Sequence, residues 1–294
     1  MTQNSFGIHG LVWVGSWGED NARKAIEGAK AAGYDRLEIP LLESWQIDTL
    51  MTRKILEEHG FGMTGNQFLT EDKDITSDDP DVRARGVQFL KKSVDLVAEI
   101  GGDWMCGTMY SKLGKYDTAP TEQGRDHCAN ALREVADHAS KTGVKLGLEL
   151  CNRFETNILN TAYQALDMID RIDRPNVYVH LDTYHMNIEE TDMVRPVLDS
   201  GDKLGYVHIC EGHRGYLGSG NVHFADFFRA LVQIGYTGPI VFESFSSAVA
   251  APDLSNALCI WRDLWTDSMD LATHAKQFID AQLKAASLEP SMSR

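Results

Sequence analysis

The chain has 294 residues, 43% of them hydrophobic and 24% charged, with a formal net charge of −15. A surface this acidic argues against nucleic acid and against anionic membranes, which both call for basic residues; no run of about 18 apolar residues suggests a membrane span, and no charged-then-apolar leader opens the chain. Five cysteines (Cys106, Cys128, Cys151, Cys210, Cys259) without a CxxC pair fit neither a disulfide framework nor a thiolate zinc site, so a reducing, cytoplasmic setting is expected.

In chain order, residues 7–13 read as a first strand. A loop with Gly15 and Gly18 leads to a helix whose Ala22, Ala25, Ile26 and Ala29 form one stripe, closed by Gly33. Strand two covers 35–39 and stops at Pro40, a helix over about 44–59 stops at Gly60, and 62–66 reads as strand three. The acidic stretch 70–79 is a loop. Pro80 suits a first helical turn, and Val87, Leu90, Val94 and Val97 then recur at helical spacing up to Gly101. Residues 104–108 give strand four, a helix carries Cys128, Leu132, Val135 and Ala139 to Gly143, and 144–149 give strand five. A helix from Thr161 ends before Pro175, strand six runs over 176–181, a short helix falls near 193–198, and strand seven spans 204–207. A glycine-rich loop fills 212–220, Phe227, Leu231 and Ile234 mark the seventh helix, and 239–242 is strand eight. A long helical region, with Leu258, Trp261, Trp265, Leu271, Phe278 and Leu283, ends in a frayed tail at about 287–294. Eight β-α alternations without a linker predict one domain over 1–294, an α/β fold of the (β/α)8 TIM barrel type with a long C-terminal helix. The aromatics of that helix suit an oligomer contact or a cap on the barrel equally well.

Four strands end on a side chain able to hold a metal ion: Glu149, Asp182, His208 and Glu243, separated by 33, 26 and 35 residues, each about one strand-helix unit. Neighbouring strand ends lie roughly 5 Å apart, so the four can converge, and barrels of this kind place their active sites at that end. A single acid after a strand is usually a cap or a solvated loop residue, and a single His is usually core; four in register argue for a site. Three carboxylates with one imidazole suit Mn²⁺, Mg²⁺ or Co²⁺ better than a thiophilic ion. A divalent ion that chelates a carbonyl and its neighbouring hydroxyl acidifies the C–H between them and stabilises the enediolate that follows. Glu149 and Glu243, across the mouth, would then exchange the proton on the two faces of that carbon and invert it.

Glu155, His185 and Arg214 lie a few residues past three of these positions, in loops expected to cover a polyol. Trp13, Gly107 and Phe245 are candidate pocket wall, with Trp104 beside them. His9, His180, His213 and His223 are set down as structural or exposed, with contact to the site the minority reading for His180, which alternates with the ligand end. Glu38, at the end of strand two, is given no site role. P-loop, dinucleotide, HExxH and GxSxG patterns are missing.

Two stretches resemble the ketose 3-epimerases, the D-tagatose 3-epimerase and D-allulose (D-psicose) 3-epimerase family of xylose-isomerase-like barrels. They are Leu148-Glu149-Leu150-Cys151-Asn152-Arg153-Phe154-Glu155-Thr156 and His180-Leu181-Asp182-Thr183-Tyr184-His185-Met186-Asn187-Ile188-Glu189-Glu190. Gly212-His213-Arg214-Gly215-Tyr216-Leu217-Gly218 and Phe242-Glu243-Ser244-Phe245-Ser246-Ser247 are similar to the branch holding L-ribulose 3-epimerase. The resemblance runs from His9 to Arg262. It implies Mn²⁺, with Mg²⁺ or Co²⁺ as alternatives, held by Glu149, Asp182, His208 and Glu243. It also implies Glu149 and Glu243 as the catalytic pair; Glu155, His185 and Arg214 on the O1–O3 end of the sugar; and a homo-oligomer, dimer or tetramer. The chain departs from the pattern at Ile209-Cys210-Glu211-Gly212, where Gly-Glu-Ser is expected, and at Gly65-Asn66-Gln67-Phe68; both bear on substrate choice.

The expected activity is therefore metal-dependent 3-epimerisation of a free ketose: D-fructose/D-allulose, D-tagatose/D-sorbose or L-ribulose/L-xylulose. An aldose–ketose isomerase of the same superfamily uses the same enediolate on C1 and C2. An endonuclease IV-like metal nuclease would need a basic groove that a charge of −15 disfavours. A catalytically silent sugar-binding barrel would not need two carboxylates beside a metal.

Overall fold

The computed structural model describes residues 4–288. Eight parallel strands close in the order β1-β2-β3-β4-β5-β6-β7-β8: β1 Phe6–His9, β2 Arg36–Pro40, β3 Gly62–Asn66, β4 Trp104–Gly107, β5 Lys145–Glu149, β6 Val177–Asp182, β7 Leu204–Ile209 and β8 Ile240–Phe242. The helices are α1 Glu19–Ala31, α2 Thr49–His59, α3 Pro80–Ile100, α4 Glu122–Ala139, α5 Ala162–Ile172, α6 Thr183–Glu189, α7 Arg195–Ser200, α8 Phe224–Gln233, α9 Pro252–Ala257 and α10 Ser268–Leu288. This is the expected TIM barrel. None of the described helices is long and apolar enough to cross a membrane.

Strands between the axis and a ring of helices lose contact with water on both faces, and they read as nearly continuous apolar runs. All six residues of β7 and all three of β8 are buried. The helices bury one stripe each: Ala22, Ala25, Ile26 and Ala29 on α1, and Val87, Leu90, Val94, Val97 and Ile100 on α3. Gly60 and Gly101 end α2 and α3 at φ 59° and 98°, a left-handed turn that glycine makes without strain. The axis is filled by side chains from alternate strands. A Cβ at Gly147 would come within 3.3–3.6 Å of the Cβ atoms of Cys106, His180 and Tyr206, so the missing side chain on β5 makes room for a tyrosine on β7.

Four expectations change. The first strand stops at His9, because the His9 ring accepts the Leu11 N–H and folds Gly10–Val12 into a 3₁₀ turn. The helix expected from residue 44 begins at Thr49, where Asp48 caps it by accepting the Met51 N–H. Asp182 both ends β6 and caps an unforeseen helix, α6, by accepting the Tyr184 N–H, so His185 sits on a helix and not in a loop. The last helical region divides into α9 and α10: Trp265 between them is buried and donates to Ser244 Oγ (2.7 Å), while Trp261 is exposed. Of the expected frayed tail, residues 287 and 288 still belong to α10 and the remainder lies outside the described residues.

Candidate active site

Register decides which strand-end side chains meet. Asp182 on β6 pairs directly with His208 on β7, and Ile209 pairs with Phe242, which leaves Glu243 one step beyond β8. On β5, Glu149 pairs with His180, two residues before Asp182. The result is that ligand atoms of Glu149, Asp182, His208 and Glu243 all lie within 4.8 Å of one another, and all four residues are buried. The four positions singled out in the sequence are brought together.

Burial of like charges leaves its mark on their acidity. Desolvation pushes Glu149 up to about 8, with Glu243 and Asp182 adding to it against His208. Desolvation likewise pushes Asp182 up to about 6, against Arg214. Burial would also raise Glu243, but the neighbouring Arg214, His208 and His9 hold it below the usual range. Three carboxylates and an imidazole thus converge in a dry place, a donor set that a divalent cation fits. The imidazole orientation agrees. His208 Nε2 lies 3.0 and 2.9 Å from the two Glu38 oxygens, while Nδ1 faces Glu149 (3.1 Å), Glu243 (3.7 Å) and Asp182 (3.9 Å). With its Nε2–H given to a carboxylate, His208 has Nδ1 free to bind metal.

Glu38 is the residue the sequence reading passed over. It is fully buried, and besides His208 it accepts from Tyr206 Oη (2.6 Å), Asn66 Nδ2 (3.0 Å) and Cys106 Sγ (3.3 Å). Burial would raise its carboxyl, but His208, His9 and the Tyr206 hydroxyl hold it far below the usual carboxylate range. His9, set down as structural or exposed, is buried at the site instead. Its Nδ1 accepts the Leu11 N–H, so Nε2 carries the proton and points between Glu38 Oε1 (3.7 Å) and Glu243 Oε1 (3.9 Å). His180 lies beneath, edge-on to His208 at 4.2 Å with Nε2 4.0 Å from Glu149, and neither of its nitrogens has a hydrogen-bond partner.

Of the four positions, Glu149 and Glu243 line a cavity of ≈ 60 Å³ together with His9. Glu155, His185, Arg214 and Phe245 line it, as do Asn66 and Thr108 and an apolar side that includes Leu11, Phe68, Leu113, Leu254 and Leu258. Arg214 is the hub: its guanidinium carbon is 4.2 Å over the Tyr184 ring and 4.6 Å over the Phe245 ring. Its nitrogens donate to Glu243 and lie 3.1 Å from His185 Nε2 and 3.6 Å from Asp182. His185 is fixed from behind by the Asn152 N–H on Nδ1 (3.0 Å), and Asn152 Nδ2 also donates to Glu155 (2.8 Å). The other expected wall residues lie elsewhere. The Trp13 ring packs where a Cβ of Gly28 would reach it, Gly107 closes on the Gln67 backbone, and Trp104 meets Tyr178 and Tyr206 at the N-terminal end of the barrel. The departure at 209–212 places the Cys210 thiol 3.6 Å from Asp182 and 3.5 Å from Glu243. Glu155, Arg214, Phe245 and Leu258 also border an outer chamber of ≈ 550 Å³, where Phe154 and Trp261 are 60% and 74% exposed.

A closed eight-stranded barrel with four side chains of metal-ligand type gathered at its strand ends points to a class, and residues 26–272 match a known family of it: the chain belongs to the xylose isomerase-like TIM barrel family. Within that family it is 50% identical over 274 residues to L-ribulose 3-epimerase of Methylomonas sp. (93% of this chain, 96% of the relative). It is 47% identical over 279 residues to ketose 3-epimerase of Arthrobacter globiformis (95% of this chain, 96% of the relative). The crystal structure of D-allulose 3-epimerase from Methylomonas sp. in complex with D-allulose superposes with a TM-score of 0.93 at 49% identity, covering 96% of this chain and 98% of that one.

Proposed function

We propose that the chain interconverts free ketoses at C3, using a divalent ion held by Glu149, Asp182, His208 and Glu243, with Glu149 and Glu243 as the proton-exchanging pair. The chain is an isomerase, a ketose 3-epimerase, the activity named for relatives at 41–50% identity over more than nine-tenths of its length. The observation that carries the mechanistic reading is two buried carboxylates in one cluster, one ending β5 and the other following β8, so that they approach a bound sugar from different walls.

When bound, the ion polarises the C2 carbonyl and steadies the negative charge that develops at O2 and O3. One glutamate removes the C3 proton, leaving an enediolate, and the other delivers a proton to the opposite face; the centre inverts and no atom is gained or lost. Arg214, His185 and Glu155 grip hydroxyl and carbonyl oxygens at the C1–C3 end, and Arg214 also keeps Glu243 ionised. The apolar lining shuts water out and strengthens these contacts. The oxygen-rich donor set favours Mn²⁺, with Mg²⁺ or Co²⁺ as substitutes. The same proposal includes a homodimer or homotetramer, read by light scattering. It includes a cytoplasmic setting too, supported by the acidic charge and by five cysteines that are all free.

The test is proton NMR of D-fructose, D-tagatose and L-ribulose in D₂O with metal-stripped protein, before and after Mn²⁺. Deuterium at C3 together with the C3 epimer, only with metal, is the expected result. Deuterium at C1 with an aldose product would replace the epimerase by an aldose–ketose isomerase, and no exchange in any sugar would reject the reading. In Glu149→Gln or Glu243→Gln, the remaining carboxylate should still wash C3 deuterium into one epimer while net epimerisation falls about 10²–10⁴-fold.

A further inference from the structure

Glu211 is wholly buried, and its carboxylate is met by main-chain donors. Oε1 accepts the N–H of Gly212 (2.9 Å) and of Val222 (3.4 Å), and Oε2 accepts the N–H of Gly218 (2.9 Å). These donors come from the start, middle and end of the loop 212–222, so a single side chain pins the loop at three points. The fit is close: a Cβ on Gly220 would lie 2.4 Å from Oε1.

The same residue begins the turn that holds Arg214. The Glu211 carbonyl accepts the Arg214 N–H (2.8 Å), and Arg214 adopts φ 58°, a left-handed conformation that an arginine keeps only where its surroundings impose it. The Arg214 carbonyl is held in turn by Ser244 Oγ and by the Phe245 N–H (3.4 Å), tying the loop to the residues after Glu243. A flexible loop would let the guanidinium wander; this one delivers it between the Tyr184 and Phe245 rings and onto Glu243.

We infer that Glu211 is a positioning residue: its buried carboxylate, hydrogen-bonded to the backbone of loop 212–222, aims Arg214 at the C1–C3 end of the ketose. It acts through Arg214 and touches neither sugar nor ion. The inference rests on the functional reading above.

The experiment is a double-mutant cycle on the full-length metal-loaded enzyme, comparing wild type, Glu211→Gln, Arg214→Met and the double variant, with epimerisation followed by C3 deuterium incorporation. Glutamine keeps the shape but turns an NH₂ toward a backbone N–H. We expect kcat/KM to fall about 10- to 100-fold in Glu211→Gln, since a displacement of an ångström at a positioned group has that effect. Mn²⁺ affinity by calorimetry should stay within about twofold. In the Arg214→Met background, Glu211→Gln should change kcat/KM by less than about twofold, because no guanidinium is left to aim. Gly220→Ala, which presses on Oε1 from the other side, should show the same non-additivity and serves if Glu211→Gln does not fold. Effects that multiply in both backgrounds, an unchanged kcat/KM, or a loss of Mn²⁺ affinity in step with activity would overturn the inference. A wild type that epimerises no ketose overturns the functional reading and this inference with it; an active wild type with multiplying effects overturns the inference alone.

Discussion

The ring of His208 has two nitrogens, and only one can meet an ion at a time. Nε2 is placed against a carboxylate whose other donors, Tyr206, Asn66 and Cys106, are themselves buried or part-buried, so Glu38 has little freedom to turn away. Replacing it by glutamine puts an amide NH₂ among donors. The His208 proton then loses a charged acceptor and competes with Asn66, Tyr206 and Cys106 for the single amide oxygen that remains, so the tautomer with Nδ1–H toward the ion gains weight. Glu38→Gln should therefore weaken Mn²⁺ binding about 10- to 100-fold, measured by titration calorimetry on metal-stripped protein. A dissociation constant within about twofold of wild type would mean that packing alone orients the ring. The contrast between Glu38 and the four ligand residues also shows what the sequence could tell. Asp182 and Glu243 stop an apolar run, and Glu149 and His208, though flanked by apolar residues, recur with them at about one strand-helix unit; Glu38, between Leu37 and Ile39, lies outside that recurrence, and only barrel closure shows that it faces the axis. His9 escaped notice for a related reason, since its neighbours read on as strand until the 3₁₀ turn is seen.

At the scale of elements, α1 lies close against the turn that follows β1. A Cβ built on Gly28 would lie 2.5 Å from Trp13 Cζ3 and 2.7 Å from Cε3, a contact the indole cannot yield without moving in a packed core. Alanine is the better helix former by about 1 kcal/mol, but overpacking costs roughly 1–3 kcal/mol, so Gly28→Ala should be neutral to destabilising by up to about 2 kcal/mol. Urea unfolding checks this, and a variant more stable than wild type would show that Trp13 swings aside. The helices and strands legible in the sequence were those with a clear period: the stripes of α1, α3, α4 and α8, and the apolar runs of β5 to β8. The misread segments were set by single hydrogen bonds. Capping by Asp182 starts α6, although Thr183–Glu189 has too few turns to show a stripe, and the Trp265 indole bond to Ser244 fixes irregular chain where periodicity suggested helix. The first bond is local, but an aspartate that also ends a strand gives no sign that it caps a helix; the second depends on a partner 21 residues away that the fold brings near.

For the molecule as a whole, the site couples metal, pH and stability. Glu149 is raised from 4.5 to about 8 and Asp182 from 3.8 to about 6, each first by burial. His208 is raised well above 6.5: burial would lower it, but Glu38, Glu243 and Glu149 outweigh that. A group whose folded pKa is raised binds its proton more tightly in the fold, so between the two pKa values the folded protein holds more protons than the unfolded chain and stability falls as pH rises. Below about 6.5 the neutral buried His9, His180 and His185 work in the opposite direction, because the unfolded chain protonates them first. Glu38 and Glu243 are lowered, so their contribution is lost only when pH drops below the ordinary carboxylate range. The clean window is therefore pH 6.5 to 8.5, where Glu149 and His208 dominate. A pKa shift of one unit is worth about 1.4 kcal/mol, which for a chain of this size is a few degrees in Tm. The metal-stripped protein should melt several degrees lower at pH 8.5 than at 6.5. Mn²⁺ requires the charged carboxylates and an unprotonated Nδ1, so its binding releases protons and offsets this loss. The melting-temperature gap between Mn²⁺-saturated and stripped protein should then widen with pH across this window, while surface groups, common to both forms, cancel. Calorimetry near pH 7 in buffers of different ionisation enthalpy should register that proton release. A gap that stayed constant or narrowed would mean that the carboxylates are already charged in the metal-free fold, and that the cation enters a site built open for it.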